Sequence, residues 1–384
     1  MFDFATATRI VFGPGARREA APAAAAWGKR IFLITGQRPA PGAGLSAELR
    51  AAGLTVERWP VAGEPSAADV SAAVAQARAA GVEVVVAIGG GSVLDTGKAV
   101  AALLANGGEV LDYVEVVGRG QPLTQPSAPF IALPTTAGTG AEVTRNAVVS
   151  VPAHRLKASL RSPHMLPRLA LVDPELTYDL PPALTASTGL DALTQLLEPF
   201  VSVAANPLTD ALCREGLRRV AAALRRAVSH GGDTAARGDM ALASLLGGLA
   251  LANAKLGAVH GLAGPLGGWL PAAPHGALCG RLLPIVNAAN LAALQARAPD
   301  SPALPRYAEA AQILIGRPQA TAADGPAWLR DLVVELALPG LAAYGLAPAD
   351  FPALVPAAQQ ASSMRGNPIA LTDGEISAIL EQAL

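Results

Sequence analysis

Short apolar runs alternate with helical stripes along the first half of the chain, and helical stripes alone fill the second. Arg30 to Thr35 (RIFLIT), closed by Gly36, predicts a buried strand. Helical composition over Leu45 to Ala52 follows, then a strand over Thr55 to Trp59. Ala67 to Ala80 predicts a helix with Ser66 as its N-cap. Val82 to Ile88 (VEVVVAI) is the strongest strand signal and runs into Gly89-Gly90-Gly91-Ser92. Phe130 to Leu133 predicts another strand, ending at Pro134. Such alternation implies a parallel sheet with flanking helices, whose ligands sit at the carboxyl ends of the strands. After Pro181-Pro182 only helical periodicity remains, with Pro299–Pro305 and Pro348–Pro356 reading as loops. The chain therefore divides into an α/β nucleotide-binding domain, residues 1–178, and an all-α domain, residues 179–384.

Composition narrows the function. The chain is 51% hydrophobic and 15% charged, with net charge −1, which suits a globular enzyme and not a nucleic-acid binder. Two cysteines, Cys213 and Cys279, imply no disulfide framework and point to a reducing cytoplasm. The start, MFDFATATR, has no basic segment followed by an apolar run, so no signal peptide is expected. The uncharged stretch Met240–Ala254 is shorter than the roughly 18–20 residues that span a bilayer, so it predicts a buried helix and no membrane association. Only four of the 29 basic residues are lysine: Lys29, Lys98, Lys157 and Lys255. An Arg-rich chain keeps lysine where a compact ammonium is useful.

Four segments carry the chemistry. Gly89 to Lys98 follows the strong strand and opens a helix, so its glycines and amides suit a pyrophosphate. It matches neither G-x-G-x-x-G nor the P-loop, which argues against ATP hydrolysis. Pro134 to Thr144 is a second strand-following loop, rich in threonine and glycine. In Ser187 to Glu198, Asp191 and Gln195 are four apart and share a helix face. His260 and His275, two of five histidines, lie in glycine-rich, nearly uncharged segments. Asp and His are sound ligands for zinc or ferrous iron, whereas a glutamine amide is a weak one.

Taken together, these segments resemble the iron-containing (group III) alcohol dehydrogenases, on a dehydroquinate synthase-like fold. The resemblance runs from Arg9-Ile10-Val11-Phe12-Gly13-Pro14-Gly15, through Leu166 to Pro174, to Ser362-Ser363-Met364-Arg365-Gly366-Asn367-Pro368. It implies a cytoplasmic homodimer that moves hydride between NAD or NADP and a small alcohol, aldehyde or oxo-acid in an interdomain cleft. It places Gly36, Gly90, Gly91, Ser92 and Asp95 at the cofactor, Thr135, Thr136 and Thr139 on the nicotinamide side, and Lys157 at the ribose. It assigns Asp191, Gln195, His260 and His275 to a metal, Fe(II) or Zn, which would polarise the reacting oxygen. His260, His275 and Lys255 form the catalytic set. Gly36-Gln37-Arg38 offers no acidic residue to repel a 2′-phosphate, and Arg38 would tolerate NADPH.

Gln195 stands where metal-dependent members have a histidine, and Gly264 where many have another. Three states follow from these departures. The metal can stay on Asp191, His260 and His275 with water. A maleylacetate reductase-like enzyme can work without metal, using Lys255 or a protonated histidine. The protein can bind nucleotide without turnover. A dehydroquinate synthase-like lyase would want more basic residues than the motifs hold.

Overall fold

The apolar runs of the N-terminal half become the strands of a parallel sheet in the computed structural model, which describes residues 1–154 and 156–384. The strands are β1 (Ile10–Phe12), β2 (Arg30–Thr35), β3 (Thr55–Pro60), β4 (Val84–Gly89), β5 (Phe130–Pro134), β6 (Asn146–Val151), β7 (Leu156–Arg161) and β8 (Leu169–Val172). Six of them form one parallel sheet in the order β1-β8-β5-β4-β2-β3. The helices of this part are α1 (Ala20–Trp27), α2 (Pro39–Ala51), α3 (Ala67–Ala79), α4 (Gly91–Asn106) and the single turn α5 (Val110–Tyr113).

Alternate residues of the central strands feed two apolar layers. Phe32, Ile34, Val85 and Ala87 pack with residues of α3 and α4. Ile31, Leu33, Val84 and Val86 pack with residues of α1 and α2. All six residues of β4 are buried, as expected for a strand covered on both faces. Ser66 caps α3 by accepting from the Asp69 amide, as its position predicts. Helix α2 starts earlier than its composition suggested, at Pro39, because proline is well placed in a first helical turn.

The hairpin β6–β7 is antiparallel and lies apart from the main sheet. It is tied to α4 by apolar packing and by a hydrogen bond: Asp95 Oδ2 accepts from the Val148 amide at 2.9 Å, while Asp95 Oδ1 pairs within the helix with Lys98 Nζ at 2.9 Å. Lys98 is fully buried and also donates to Thr144 Oγ1 at 2.8 Å. Among the motif lysines, Lys98 therefore serves packing.

Contacts divide the chain into two units: 4–136 with 140–179, and 180–384 with 1–3 and 137–139. Among the described residues the second unit holds nine α-helices and no strand. They are α6 (Pro182–Val201), α7 (Pro207–Ser229), α8 (Thr234–Ala254), α9 (Ala258–Trp269), α10 (His275–Arg297), α11 (Ala303–Ile315), α12 (Asp324–Glu335), α13 (Phe351–Gln360) and α14 (Asp373–Ala383). Helix α6 is buried from Thr185 to Val201, apart from half-buried Thr188, and packs against α7, α8 and α10. Helices α8 and α10 are long and apolar enough to cross a bilayer, but most of each is buried in this unit. The stretch Pro348–Pro356, expected to be a loop, is a 3-10 turn leading into α13. Its prolines lie chiefly in first turns, where no amide donor is needed. Pro299–Pro305 is likewise a loop only as far as Pro302, since α11 begins at Ala303.

Candidate active site

The carboxyl ends of three adjacent strands bring the predicted cofactor segments together in the N-terminal unit. Strand β4 lies between β2 and β5, with Thr35 opposite Ile88 and Gly89 opposite Pro134. The Thr135 amide donates to the Gly89 carbonyl at 2.9 Å, which holds the two loops side by side. Gly36 leaves β2 beside them, and a β-carbon built on it would meet Val93 at 3.6 Å. Gly90 is the N-cap of α4 and has no side chain to cap it. The first amides of that helix, at Gly91 and Ser92, are the ready-made donors for an anion. Gly97 belongs to packing: its β-carbon would lie 2.6 Å from the Phe130 ring. Arg38 donates to the Thr135 carbonyl at 3.4 Å.

Two expected cofactor contacts are otherwise engaged. Asp95 has both carboxylate oxygens committed to Lys98 and Val148, so it ties α4 to the hairpin instead of facing a ligand. Lys157 is largely buried and pairs with Glu64 at 2.5 Å. Thr136 stays with the N-terminal unit, whereas Thr139 falls with the C-terminal one.

In the C-terminal unit, three helices assemble a compact polar cluster. Asp191 comes from the buried middle of α6, His260 from the first turn of α9, and His275 is the first residue of α10. A fourth group, Cys279, stands one turn after His275 on the same face of α10. The candidate ligand atoms of these four residues all lie within 4.8 Å of one another. His260 Nε2 is 3.4 Å from Asp191 Oδ1, and His275 Nε2 is 3.9 Å from it. Cys279 Sγ is 3.8 Å from His260 Nε2 and 3.6 Å from His275 Nε2. Asp191, His260 and Cys279 are buried, while His275 is partly exposed.

Glu198 orients His260. Its Oε2 accepts from His260 Nδ1 at 2.6 Å, and its Oε1 accepts from the Val259 amide at 2.6 Å and the His260 amide at 3.4 Å. Asn367 accepts from the Ala258 amide at 3.1 Å, so two side chains satisfy the start of α9. A carboxylate at Nδ1 fixes the proton there and turns Nε2 toward the cluster.

The cluster stabilises its own charged forms. Burial pushes the Asp191 carboxyl up, but contact with His260, the charge of His275 and hydrogen bonding to Gln195 hold it below its usual range. Burial likewise lowers His260, yet Cys279 and Glu198 hold it well above its ordinary value. His275 is raised in the same way against burial, chiefly by Cys279 and Asp191. The Cys279 thiol is pushed up by burial and brought below its ordinary value by the two histidines. Two buried oxygens, Asp191 Oδ1 and Gln195 Oε1, accept no hydrogen bond. Orphaned acceptors of this kind are costly without a cation or water beside them.

Lys255, expected in the catalytic set, is exposed at the end of α8, in the left-handed region with φ 61°. Gly264 lies one turn after His260 on α9, and a β-carbon there would meet nothing within 4 Å. Cys279 and Glu198 are the members that sequence reasoning missed. Their signal was present: Glu198 is seven residues after Asp191, and Cys279 four after His275.

Residues 7–174 match the family model for iron-containing alcohol dehydrogenase, and residues 185–384 match the model for the C-terminal part of the same family. The 1,3-propanediol dehydrogenase of Klebsiella pneumoniae is 34% identical over 396 residues, covering 100% of this chain and 99% of that protein. Alcohol dehydrogenase 4 of Schizosaccharomyces pombe is 40% identical over 301 residues, covering 78% of this chain and 68% of that protein. A crystal structure of 1,3-propanediol oxidoreductase matches with TM-score 0.91 and 33% identity over 100% of both chains. Sulfoacetaldehyde reductase from Bifidobacterium kashiwanohense, in complex with NAD+, matches with TM-score 0.85 and 29% identity over 100% of this chain and 98% of that one. The chain belongs to the iron-containing alcohol dehydrogenase family and is an oxidoreductase acting on alcohols.

Proposed function

We propose that the protein interconverts a small alcohol and its aldehyde or oxo-acid, with NAD(P) at the Gly90–Ser92 turn and a divalent metal at the cluster built on Asp191, His260 and His275. The observation that carries this reading is the convergence of three ligand-type side chains from three helices around an Asp191 oxygen that no donor satisfies. The donor set fits such an ion in charge and in kind. When bound, the metal supplies Lewis acidity toward the alcohol or carbonyl oxygen, and the nicotinamide supplies or accepts hydride.

The protein's own groups do the rest. Glu198 holds the Nδ1 proton of His260 and presents Nε2 to the ligand side. Burial of Asp191, His260 and Cys279 keeps water from that side, and partly exposed His275 leaves one approach. The uncapped start of α4 takes the pyrophosphate, with Gly36 and the loop from Thr135 to Thr139 beside the rest of the cofactor. Gln195 serves as a neutral neighbour or weak ligand of the same ion. Arg38 after β2, with no acidic residue nearby in sequence, leaves NADP as acceptable as NAD.

Oxidation of NADH and NADPH with a panel of aldehydes, succinic semialdehyde and maleylacetate tests the activity. Turnover of at least one short-chain aldehyde, abolished by a chelator, is expected. Tight cofactor binding without turnover of any acceptor would contradict it. Glu198→Gln is expected to weaken divalent-metal affinity by about 10- to 100-fold, read by competition with a chromophoric chelator. Unchanged affinity would remove Glu198 from the site.

A further inference from the structure

We infer that Cys279 is a protein ligand of the metal, completing an Asp191/His260/His275/Cys279 donor set that selects zinc over ferrous iron. This rests on the metal reading above and assigns a residue and a metal preference that the reading leaves open.

The distances carry the inference. With Zn–S near 2.3 Å and Zn–N and Zn–O near 2.0 Å, a tetrahedral ion sets its sulfur and nitrogen ligands about 3.6 Å apart and its nitrogen and oxygen ligands about 3.3 Å apart. The sulfur of Cys279 lies 3.6 and 3.8 Å from the two imidazole Nε2 atoms. Asp191 Oδ1 lies 3.4 and 3.9 Å from the same two nitrogens. Four of the six edges among these ligand atoms, which come from three separate helices, thus lie within about 0.6 Å of tetrahedral values, and all four atoms lie within 4.8 Å of one another. Asp191 Oδ1, the oxygen that shares this geometry, accepts no hydrogen bond and belongs to a residue that is 2% exposed.

The ordinary explanation for a buried cysteine is a small apolar packing group. Cys213 fits that explanation, being buried in the helical core with leucines, valines and alanines. Cys279 differs because its sulfur faces two imidazoles. A thiolate and the Asp191 carboxylate together balance a dication, while the histidines bind as neutral imidazoles. The Glu198 carboxylate is separately met by three N–H groups. Sulfur is a soft donor that widens the margin by which zinc outbinds ferrous iron beyond that of an oxygen- and nitrogen-only site.

Reconstitution of the chelator-treated full-length protein with Co(II) under anaerobic conditions tests this. The expected spectrum has weak visible d–d bands and an intense near-ultraviolet thiolate-to-cobalt band. The intense band should persist in Cys213→Ser and vanish in Cys279→Ser, with the d–d bands retained. In competition between Zn(II) and Fe(II), the zinc preference should fall by about tenfold or more in Cys279→Ser. Visible bands without the thiolate band in the wild-type protein would overturn the inference and leave the metal reading intact. Absence of cobalt uptake, or uptake undiminished in Asp191→Ala, would overturn both. If Cys279→Ser fails to fold, Cys213→Ser decides alone, because Cys279 is then the one thiol left.

Discussion

Replacing His260 with alanine is expected to lower kcat by on the order of a thousandfold or more while leaving NAD(P)H affinity within about twofold. His260 is the hub of the cluster. Its Nε2 faces Asp191 and Cys279, and its Nδ1 is held by Glu198. The substitution removes one ligand and strands the Glu198 carboxylate, which then keeps only backbone donors. The cofactor turn belongs to the N-terminal unit and does not draw on His260. Steady-state rates and nicotinamide fluorescence titration separate the two effects. Near-normal turnover in the variant would show that the reaction centre has been misassigned.

Gly276→Ala is expected to be nearly as damaging, though it removes no functional group. A β-carbon at 276 would sit 2.1 Å from the Ser187 carbonyl oxygen and 2.6 Å from its carbon, both backbone atoms of α6. Neither can rotate away, so the start of α10 must move off α6. That movement carries His275 and Cys279 away from Asp191. Overpacking costs about 1–3 kcal/mol of stability, and a misplacement of about 1 Å at a reacting centre costs about a hundredfold in rate. A lowered melting temperature and a kcat/KM reduced by about two orders of magnitude are expected. Gly264→Ala is the matched control, since its β-carbon would meet nothing within 4 Å. A Gly276→Ala enzyme as active as the Gly264→Ala control would show that contact with α6 does not set the geometry of the site.

Sequence and structure agree best where periodicity is strong. RIFLIT is a strand in which every residue but Arg30 is buried, and of the run Val82–Ile88 the buried part from Val84 is strand, while half-buried Val82 and Glu83 precede it. The hairpin β6–β7 went unread, although Asn146–Val151 alternates half-buried and buried positions as a strand covered on one face should. Its neighbours are polar and glycine-rich, so a short strand there reads as loop. Residues 137–139 join the C-terminal unit through contacts distant in sequence, such as Gly138 against Thr188. No local pattern announces that. Asp191, His260 and His275 of the proposed metal site, read together with Gln195, were legible because Asp and His are rare on apolar helices. Cys279 was not, because a thiol in an apolar run looks like packing until two histidines are placed beside it. Asp95 shows the opposite limit: its place after the glycine turn suggests a cofactor contact, but its ion pair with buried Lys98 needs the third dimension to be seen.

The metal content of protein purified without chelator, measured per chain by plasma mass spectrometry alongside activity, decides whether this cluster is a metal-dependent reaction centre. One divalent ion per chain is expected, lost with activity on chelation and restored with it on adding the metal back. Full activity in protein shown to be free of metal would contradict it.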